Sequence, residues 1–485
     1  MRMKSSLLRI LLLFLVSVFV LAAFTGCPAN DGVTNTQGNT ESKGTEDNNA
    51  GDPPKEPISL RGYSIVIPDG TTDVSVEGLS AYELKQMLTE FGYSVKVKED
   101  NGSATVDAKS ILLGKTAATE GEMPEGNNYS IVEKNGQIQI SAGNYYGYSA
   151  ALNFIKSKIR QNDGFPQGLE YTGTADVSNV TRTGDSIRVM FYNVLGYSWE
   201  GVDGEKADEK HTPSVTLRQE LECDLLSAYA PDVIGFQEYV NEFQSDFDAQ
   251  LEAIGYTRVP TTKTNNNTPI FYRADKVTLV QSDFTKYTTT DSAKNNRGVT
   301  WAMFKENGTD KMFAVFNTHF LHSLDKNTTT WDTERENNAK QILAVINNIV
   351  KLPNIPIIMG GDLNFSNIWS DKGTESSRKP YEALVNGGLT LASNIEGVQT
   401  NFYTSSNSKN YTNSVHGFYL YDSVKKIYDM KQSNLINNKK SQYTLDHIFM
   451  GNLSSITVHT HWIVEDELTM RASDHCPVFV DFTIN

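Results

Sequence analysis

From Ser186 to the C-terminus, short apolar runs repeatedly end in side chains that carry oxygen or nitrogen. Val233-Ile-Gly-Phe236 runs into Gln237-Glu238, Met312–Phe316 into Asn317-Thr318-His319, and Ile357-Ile-Met359 into Gly361-Asp362-Leu363-Asn364. Short β-branched and aromatic runs bounded by Gly, Asn and Asp read as strands. The clearest are Ile187–Tyr192, Val233–Gln237, Phe313–Thr318, Ile355–Met359, Asp446–Met450 and Pro477–Phe482, with helices expected at Thr216–Tyr229, Glu242–Ile254, Thr333–Val350 and Tyr381–Asn386. Strands that end in polar clusters suit a two-sheet sandwich with helices outside and loops converging on one edge. No internal repeat is present.

A chain of 485 residues is too long for one ordinary core. Residues 58–180 read as a small α/β unit. Tyr63–Ile67 and Ile111–Leu113 are predicted strands, Ala81–Phe91 and Tyr146–Arg160 predicted helices, and Tyr129–Val132 and Gln137–Ala142 flank the hairpin signal Asn135-Gly136. This passage resembles the small α/β domain that precedes the catalytic barrel in some bacterial glycoside hydrolases. It carries no constellation of acids, His or Cys, so an accessory domain, with glycan contact as one role, is expected.

The N-terminus reads as a targeting segment. Arg2, Lys4 and Arg9 precede the apolar run Ile10–Ala23, which ends at Phe24-Thr25-Gly26-Cys27 and resembles a bacterial lipobox with Phe24 in the place usually taken by Leu. The expectation is a lipoprotein signal peptide over 1–27 with Cys27 lipidated, the alternative being a plain signal peptide. Residues 28–57 hold almost no apolar side chains and read as a tether. The membrane is then a partner only through the N-terminal lipid, on the extracellular face of the cytoplasmic membrane. Cys223 and Cys476 are expected to be free thiols. The net charge of -15 argues against a broad basic surface that coats nucleic acid, and a monomer is expected.

Hydrolysis of a phosphoester needs a metal to screen charge, a group to prepare water, and donors for the transition-state oxygens. Hard divalent cations take oxygen ligands, and the strand ends supply them: Asn193, Glu238, and Asp362 with Asn364, which alternate at i and i+2 and so are expected on one side of an extended segment. His319 ends a strand, and His475 lies beside Asp474 just before the last one. A carboxylate such as Asp446 can hold an imidazole in one tautomer.

Taken in order, Asn193, Gln237-Glu238, Arg297-Gly298, Asn317-Thr318-His319, Gly361-Asp362-Leu363-Asn364, Asp446 and Ser473-Asp474-His475 resemble the endonuclease/exonuclease/phosphatase (DNase I-like) superfamily over 186–485. The resemblance implies a four-layer α/β/β/α sandwich, classed α/β (α+β), and a Mg²⁺ or Mn²⁺ site. It implies Glu238 as the principal metal ligand with Asn193 nearby and Asp474 in support, and Asp362 and Asn364 positioning water and a phosphoryl oxygen. His475, oriented by Asp446, would be general base or transition-state stabiliser, His319 would serve the phosphate or leaving oxygen, and Arg297 would contact phosphate or carboxylate.

Pro269–Arg273, Arg297–Trp301, Asn317–His322 and Val415–Phe418 further resemble a bacterial branch of uncharacterised hydrolases and sugar-phosphate phosphatases. His322 and His416 are the substrate-pocket candidates, although Leu321 stands where that branch commonly has Asp and Ser414-Val415 where it has Thr-Phe. A phosphatase of sugar phosphates or other small phosphoesters is expected. A secreted nuclease, a phospholipid phosphodiesterase and a catalytically silent binding lipoprotein are the alternatives.

Overall fold

The computed structural model describes residues 56–103, 106–177, 180–196, 213–262, 267–288, 297–321, 328–365, 375–402, 419–422, 424–432 and 444–485. Cys27, His322 and His416 lie outside them. All the described residues belong to one compact unit, Glu46–Asn485. Among them, no helix is long and apolar enough to cross a membrane.

The N-terminal part of this unit is built from β1 (Ser64–Ile67), α1 (Val76–Glu90), β2 (Lys96–Glu99), β3 (Ser110–Leu113), β4 (Asn128–Lys134), β5 (Gln137–Ala142), α2 (Tyr145–Asn162) and β6 (Glu170–Thr174). Its six strands form one sheet in the order β2-β1-β3-β5-β4-β6. The hairpin between β4 and β5 turns on Asn135 and Gly136, both at positive φ, as a tight two-residue turn requires. Ser75 and Asn144 cap the two helices, accepting from Gly78 and Gly147 N–H.

The larger part continues with β7 (Ile187–Asn193), α3 (Val215–Tyr229), β8 (Val233–Gln237), α4 (Asn241–Ala253), β9 (Tyr256–Arg258), β10 (Ile270–Arg273), β11 (Val277–Lys286), β12 (Gly298–Glu306), β13 (Met312–His319) and α5 (Thr328–Ile349). It is completed by β14 (Ile357–Asp362), α6 (Glu375–Asn386), β15 (Thr390–Leu391), β16 (Gln399–Thr400), β17 (Tyr419–Asp422), β18 (Ile427–Gln432), β19 (Asp446–Gly451), β20 (Ile456–Ile463), α7 (Thr469–Ala472) and β21 (Val478–Ile484). Two sheets result, β16-β20-β21-β7-β8-β10-β9 and β11-β12-β13-β14-β19-β15, with β17 and β18 as a separate hairpin.

Three apolar layers define the sandwich. Val189, Phe191, Val233, Val315, Ile358, Ile448 and Val480 meet between the sheets. The outer face of the second sheet packs Phe316, Met359 and Phe449 against Ala339, Ile342 and Leu384 of α5 and α6. On the first sheet, Met190, Tyr192 and Phe236 pack against Leu221 and Leu225 of α3, in a cluster continuous with Leu79, Met87 and Leu152 of the six-stranded part. This is the expected α/β/β/α arrangement. Alternate residues of β7 serve opposite cores, as a two-fold side-chain period dictates.

Several boundaries differ from the sequence reading. The predicted strand Ile355–Met359 runs instead from Ile357 through Gly360-Gly361 to Asp362, because β13 and β19 pair with it on both sides. Gly361 makes this possible: at φ 132, a Cβ there would lie 1.9 Å from the Thr318 carbonyl oxygen. The helix expected from Thr333 starts at Thr328, and that expected from Tyr381 starts at Glu375. The strands β9 to β12 and β20 were not among the clear sequence signals. β11 and β20 mix polar with apolar residues, and the pairing partners decide such segments.

Candidate active site

Strand register brings the polar strand ends to one edge of both sheets. β7 and β8 are parallel with Asn193 opposite Gln237, and β13 and β14 are parallel with His319 opposite Asp362. β19 runs antiparallel to β14 and begins here, with Asp446 opposite Asp362. β21 runs antiparallel to β7, so the preceding segment Ser473-Asp474-His475 reaches the same edge. Leu195, Glu238 and Asn364, just past the ends of three of these strands, all adopt left-handed backbone (φ 54, 56 and 51). Non-glycine residues held this way cost about 1–3 kcal/mol each and gather at functional sites.

Asp362 is the hub. His319 Nε2 lies 3.2 Å from its Oδ2, Asn193 Nδ2 donates to the same oxygen at 3.1 Å, and His475 Nε2 stands 4.0 Å away. Asn193 Nδ2 also reaches Glu238 Oε1 at 3.2 Å, while its side-chain Oδ1 accepts from Leu195 N–H at 3.1 Å. Glu238 Oε2 accepts from Gly196 N–H at 2.7 Å. His475 Nδ1 pairs with Asp446 Oδ2 at 2.8 Å, the orientation expected from sequence, leaving Nε2 toward Asp362 and toward Asp474 Oδ1 at 4.0 Å.

Asn364 is placed differently from the sequence reading, in which it shares one face of an extended segment with Asp362. The strand stops at Asp362, whose Oδ1 accepts from Asn364 N–H at 3.0 Å, and the Asn364 amide donates to Phe320 O at 3.1 Å. Arg297 immediately precedes β12. Burial lowers its pKa, and the negative charge of Glu238 and Asp362 opposes that shift.

Charge balance follows the same pattern. Burial pushes Asp362 and Glu238 up, but His319 and His475 beside them bring both below the ordinary carboxylate range. Asp474 goes the other way, up to about 6, because burial and Glu238 outweigh His475. Burial alone would lower His475, yet Asp446, Asp474 and Asp362 hold it well above the ordinary imidazole value.

The donor set fits a divalent cation. One ligand atom each from Glu238, His319 and Asp362 lies within 4.8 Å of the others. Asp474 Oδ1 and His319 Nδ1 are buried without a hydrogen-bond partner among the described residues. Carboxylate oxygens that converge this way suit hard ions.

Three supporting groups, of which the sequence motifs already include Gln237 and Ser473, have roles that only the structure assigns. Arg218, buried on α3, donates to Ala472 O at 2.7 Å, to Leu195 O at 3.0 Å and to Val194 O, tying together two site loops. Ser473 Oγ donates to Asn193 O at 2.7 Å and accepts from His475 N–H at 3.2 Å. Gln237 Nε2 donates to Asn317 Oδ1 at 2.7 Å, a polar pin between the sheets. Arg218 and Glu222 stand four residues apart on a helix, a spacing that reads in sequence as a solvent-exposed ion pair; both are buried.

The profile of the Endonuclease/Exonuclease/phosphatase family matches residues 190–475. No protein of curated function matches the sequence. Among solved structures, a family protein from Bacteroides thetaiotaomicron is 20% identical, with 63% of this chain and 100% of that one covered and a TM-score of 0.44. A mannosyl-6-phosphatase from the same organism is 20% identical, with 62% and 100% covered and a TM-score of 0.44. The catalytic domain of human Nocturnin is 20% identical, with 63% and 97% covered and a TM-score of 0.42. The family is generally divalent-metal dependent, and Glu238, His319 and Asp362 form a cluster able to hold such an ion. Matched over more than half its length, from the strand that ends in Asn193 to His475 itself, the chain belongs to the Endonuclease/Exonuclease/phosphatase family and is a phosphoric ester hydrolase.

Proposed function

We propose that the protein is a secreted, lipid-anchored, Mg²⁺- or Mn²⁺-dependent phosphatase of small phosphoesters, with sugar phosphates as the leading substrate class. The observation that carries the reading is the meeting of Asp362 with His319, Asn193 and His475 at one sheet edge, beside Glu238. Glu238, Asp362, Asp474 and His319 would hold the ion, with Asn193 against the two carboxylates. When bound, the ion screens phosphate charge and polarises the phosphoryl oxygen.

The chain's own residues supply the rest. Asp362, kept ionised by its imidazole neighbours, orients the attacking water and accepts its proton. His475, fixed by Asp446 through Nδ1, directs Nε2 at the charge that builds on the phosphoryl oxygens, and Asn364 adds an amide there. His319 faces the leaving oxygen, and Arg297 adds positive charge beside Glu238 and Asp362. Attack is in line, with no covalent intermediate. His322 and His416 contribute to substrate choice, and Cys27 carries the lipid that keeps the protein at the outer face of the cytoplasmic membrane.

Net charge of -15 favours a small phosphoester over a polyanionic strand, and the likeness of Pro269–Arg273 and Arg297–Trp301 to sugar-phosphate phosphatases supports the substrate class. Residues 46–485 can be tested against sugar phosphates, single-stranded DNA and choline phospholipids, with Mg²⁺ and with EDTA. Sugar-phosphate hydrolysis abolished by EDTA is expected. Preferential cleavage of DNA would replace the phosphatase reading with the nuclease one, and EDTA-resistant turnover would remove the metal.

A further inference from the structure

No residue of the six-stranded part enters the chemistry above, yet, apart from the Asp73–Lys426 pair at the β17–β18 hairpin, its polar side-chain contacts with the rest of the unit fall on the two elements that place the catalytic segment. The first element is α3. Its Glu220 and Asp224, one turn apart, each accept from the first residue of a helix across the seam: Val76 N–H donates to Glu220 at 3.0 Å and Tyr145 N–H to Asp224 at 2.8 Å. First-turn N–H groups have no acceptor within their own helix, so α1 and α2 both end on α3. The same helix carries Arg218, which holds the carbonyls of Val194, Leu195 and Ala472.

The second element is the segment that leads into Asp474 and His475. Tyr146 OH donates to Asp466 at 3.0 Å. Arg471, only 6% exposed, pairs with Glu83 of α1 at 2.7 Å and with Glu467 at 2.7 Å. Its guanidinium lies 5.1 Å from the ring centre of Tyr145 on α2 and 5.0 Å from that of Tyr428 on β18. Tyr428 OH also donates to Arg471 O at 2.7 Å. Between β20 and β21 the chain has only the single-turn α7 as regular structure, so these side chains supply much of what fixes its course.

We propose that the six-stranded part braces the active site: Glu83 on Arg471, and α1 and α2 seated on α3, set the position from which Asp474 and His475 act. Glu83, Arg471 and Arg218 are then positioning residues of the hydrolase. The catalytic half of this inference rests on the role assigned to His475 above.

The full chain in detergent micelles, loaded with Mg²⁺, provides the test, with p-nitrophenyl phosphate turnover and hydrogen exchange at residues 468–475 as readouts. Glu83→Ala is expected to lower kcat about tenfold with KM changed less than about twofold, as small misplacements of catalytic groups do, and to speed exchange in that segment. Glu83→Gln, which keeps an acceptor for Arg471, should restore most of both. Arg182→Ala breaks the Arg182–Asp232 pair at the far end of β7 and β8, and should lower the melting temperature without touching kcat or that exchange. Should Glu83→Ala fail to fold, Tyr146→Phe removes only the hydroxyl on Asp466 and should shift both readouts less, in the same direction. Unchanged kcat and exchange in whichever of these variants folds overturns the brace. A wild-type chain that does not hydrolyse phosphoesters overturns the functional reading instead, and the exchange readout still decides whether the segment is braced.

Discussion

Among the described residues, a cluster of acids at the sheet edge and another at the seam are balanced in opposite ways. At the sheet edge, Glu238, Asp362 and Asp474 face one another with imidazoles and amides between them, and Asp474 Oδ1 has no hydrogen-bond partner among the described residues. At the seam, Glu220 and Asp224 end on backbone N–H groups, and Glu83 and Glu467 close on one guanidinium. The first arrangement is left open for a cation and for charge that appears during reaction. The second is satisfied by the protein itself. Acid count does not separate a site from a joint; the identity of the balancing groups does.

The largest expected effect lies at the open cluster. His475→Ala should lower kcat by about 10²–10⁴, with the melting temperature near wild type; full activity would assign His475 to structure. Metal affinity is the next comparison. Asn193 touches both Glu238 and Asp362, so Asn193→Ala should weaken Mg²⁺ binding, read by calorimetry, by about 10–100-fold. Unaltered affinity would place the ion elsewhere. At the closed cluster, Arg471→Ala should cost about 2–3 kcal/mol, since it strips the charged partner from two carboxylates, and should lower the melting temperature in chain that has no metal.

The smallest effect is a pH dependence of the seam. Burial, then Glu77, raise Glu220 to about 8, and burial, then Glu77, raise Asp224 to about 7, while the Val76 and Tyr145 N–H groups oppose each shift; Glu220 also feels Asp224, and Tyr146 and Tyr148 lie within range. The folded protein therefore keeps protons that the unfolded chain has released. Stabilisation from these acids is full at low pH and is lost as pH rises through about 7 to about 8. Melting temperatures taken from about pH 5 to about pH 9 should fall more steeply for wild type than for Glu220→Gln with Asp224→Asn. Parallel curves would mean that both acids are ionised at the joint.

Much of the open cluster was legible in the chain. Asn193, Glu238, His319, Asp362 and His475 stand beside apolar runs, and segments just beyond rigid strands are where binding and catalytic side chains gather. The partner of His475 could be named only through the family resemblance, since opening a strand does not by itself pair Asp446 with any one histidine; the structure brings the two together at 2.8 Å. Asn364 falls beyond the end of the strand, since alternation along a strand says nothing about where pairing stops. Glu220 and Asp224, four residues apart, share a polar stripe that local pattern alone would leave in water; the docking of α1 and α2 on α3 covers it.

By itself the sequence determined a layered α/β sandwich and the residue types of a phosphoester site, because side-chain period and strand-end chemistry are local properties of the chain. The tertiary structure decided which strand ends face one another, that Asn193 spans two carboxylates, and that a polar helix face becomes a joint. Those are contacts between residues far apart in the chain, fixed by the burial of apolar faces against each other, and no local pattern encodes the register in which such faces meet.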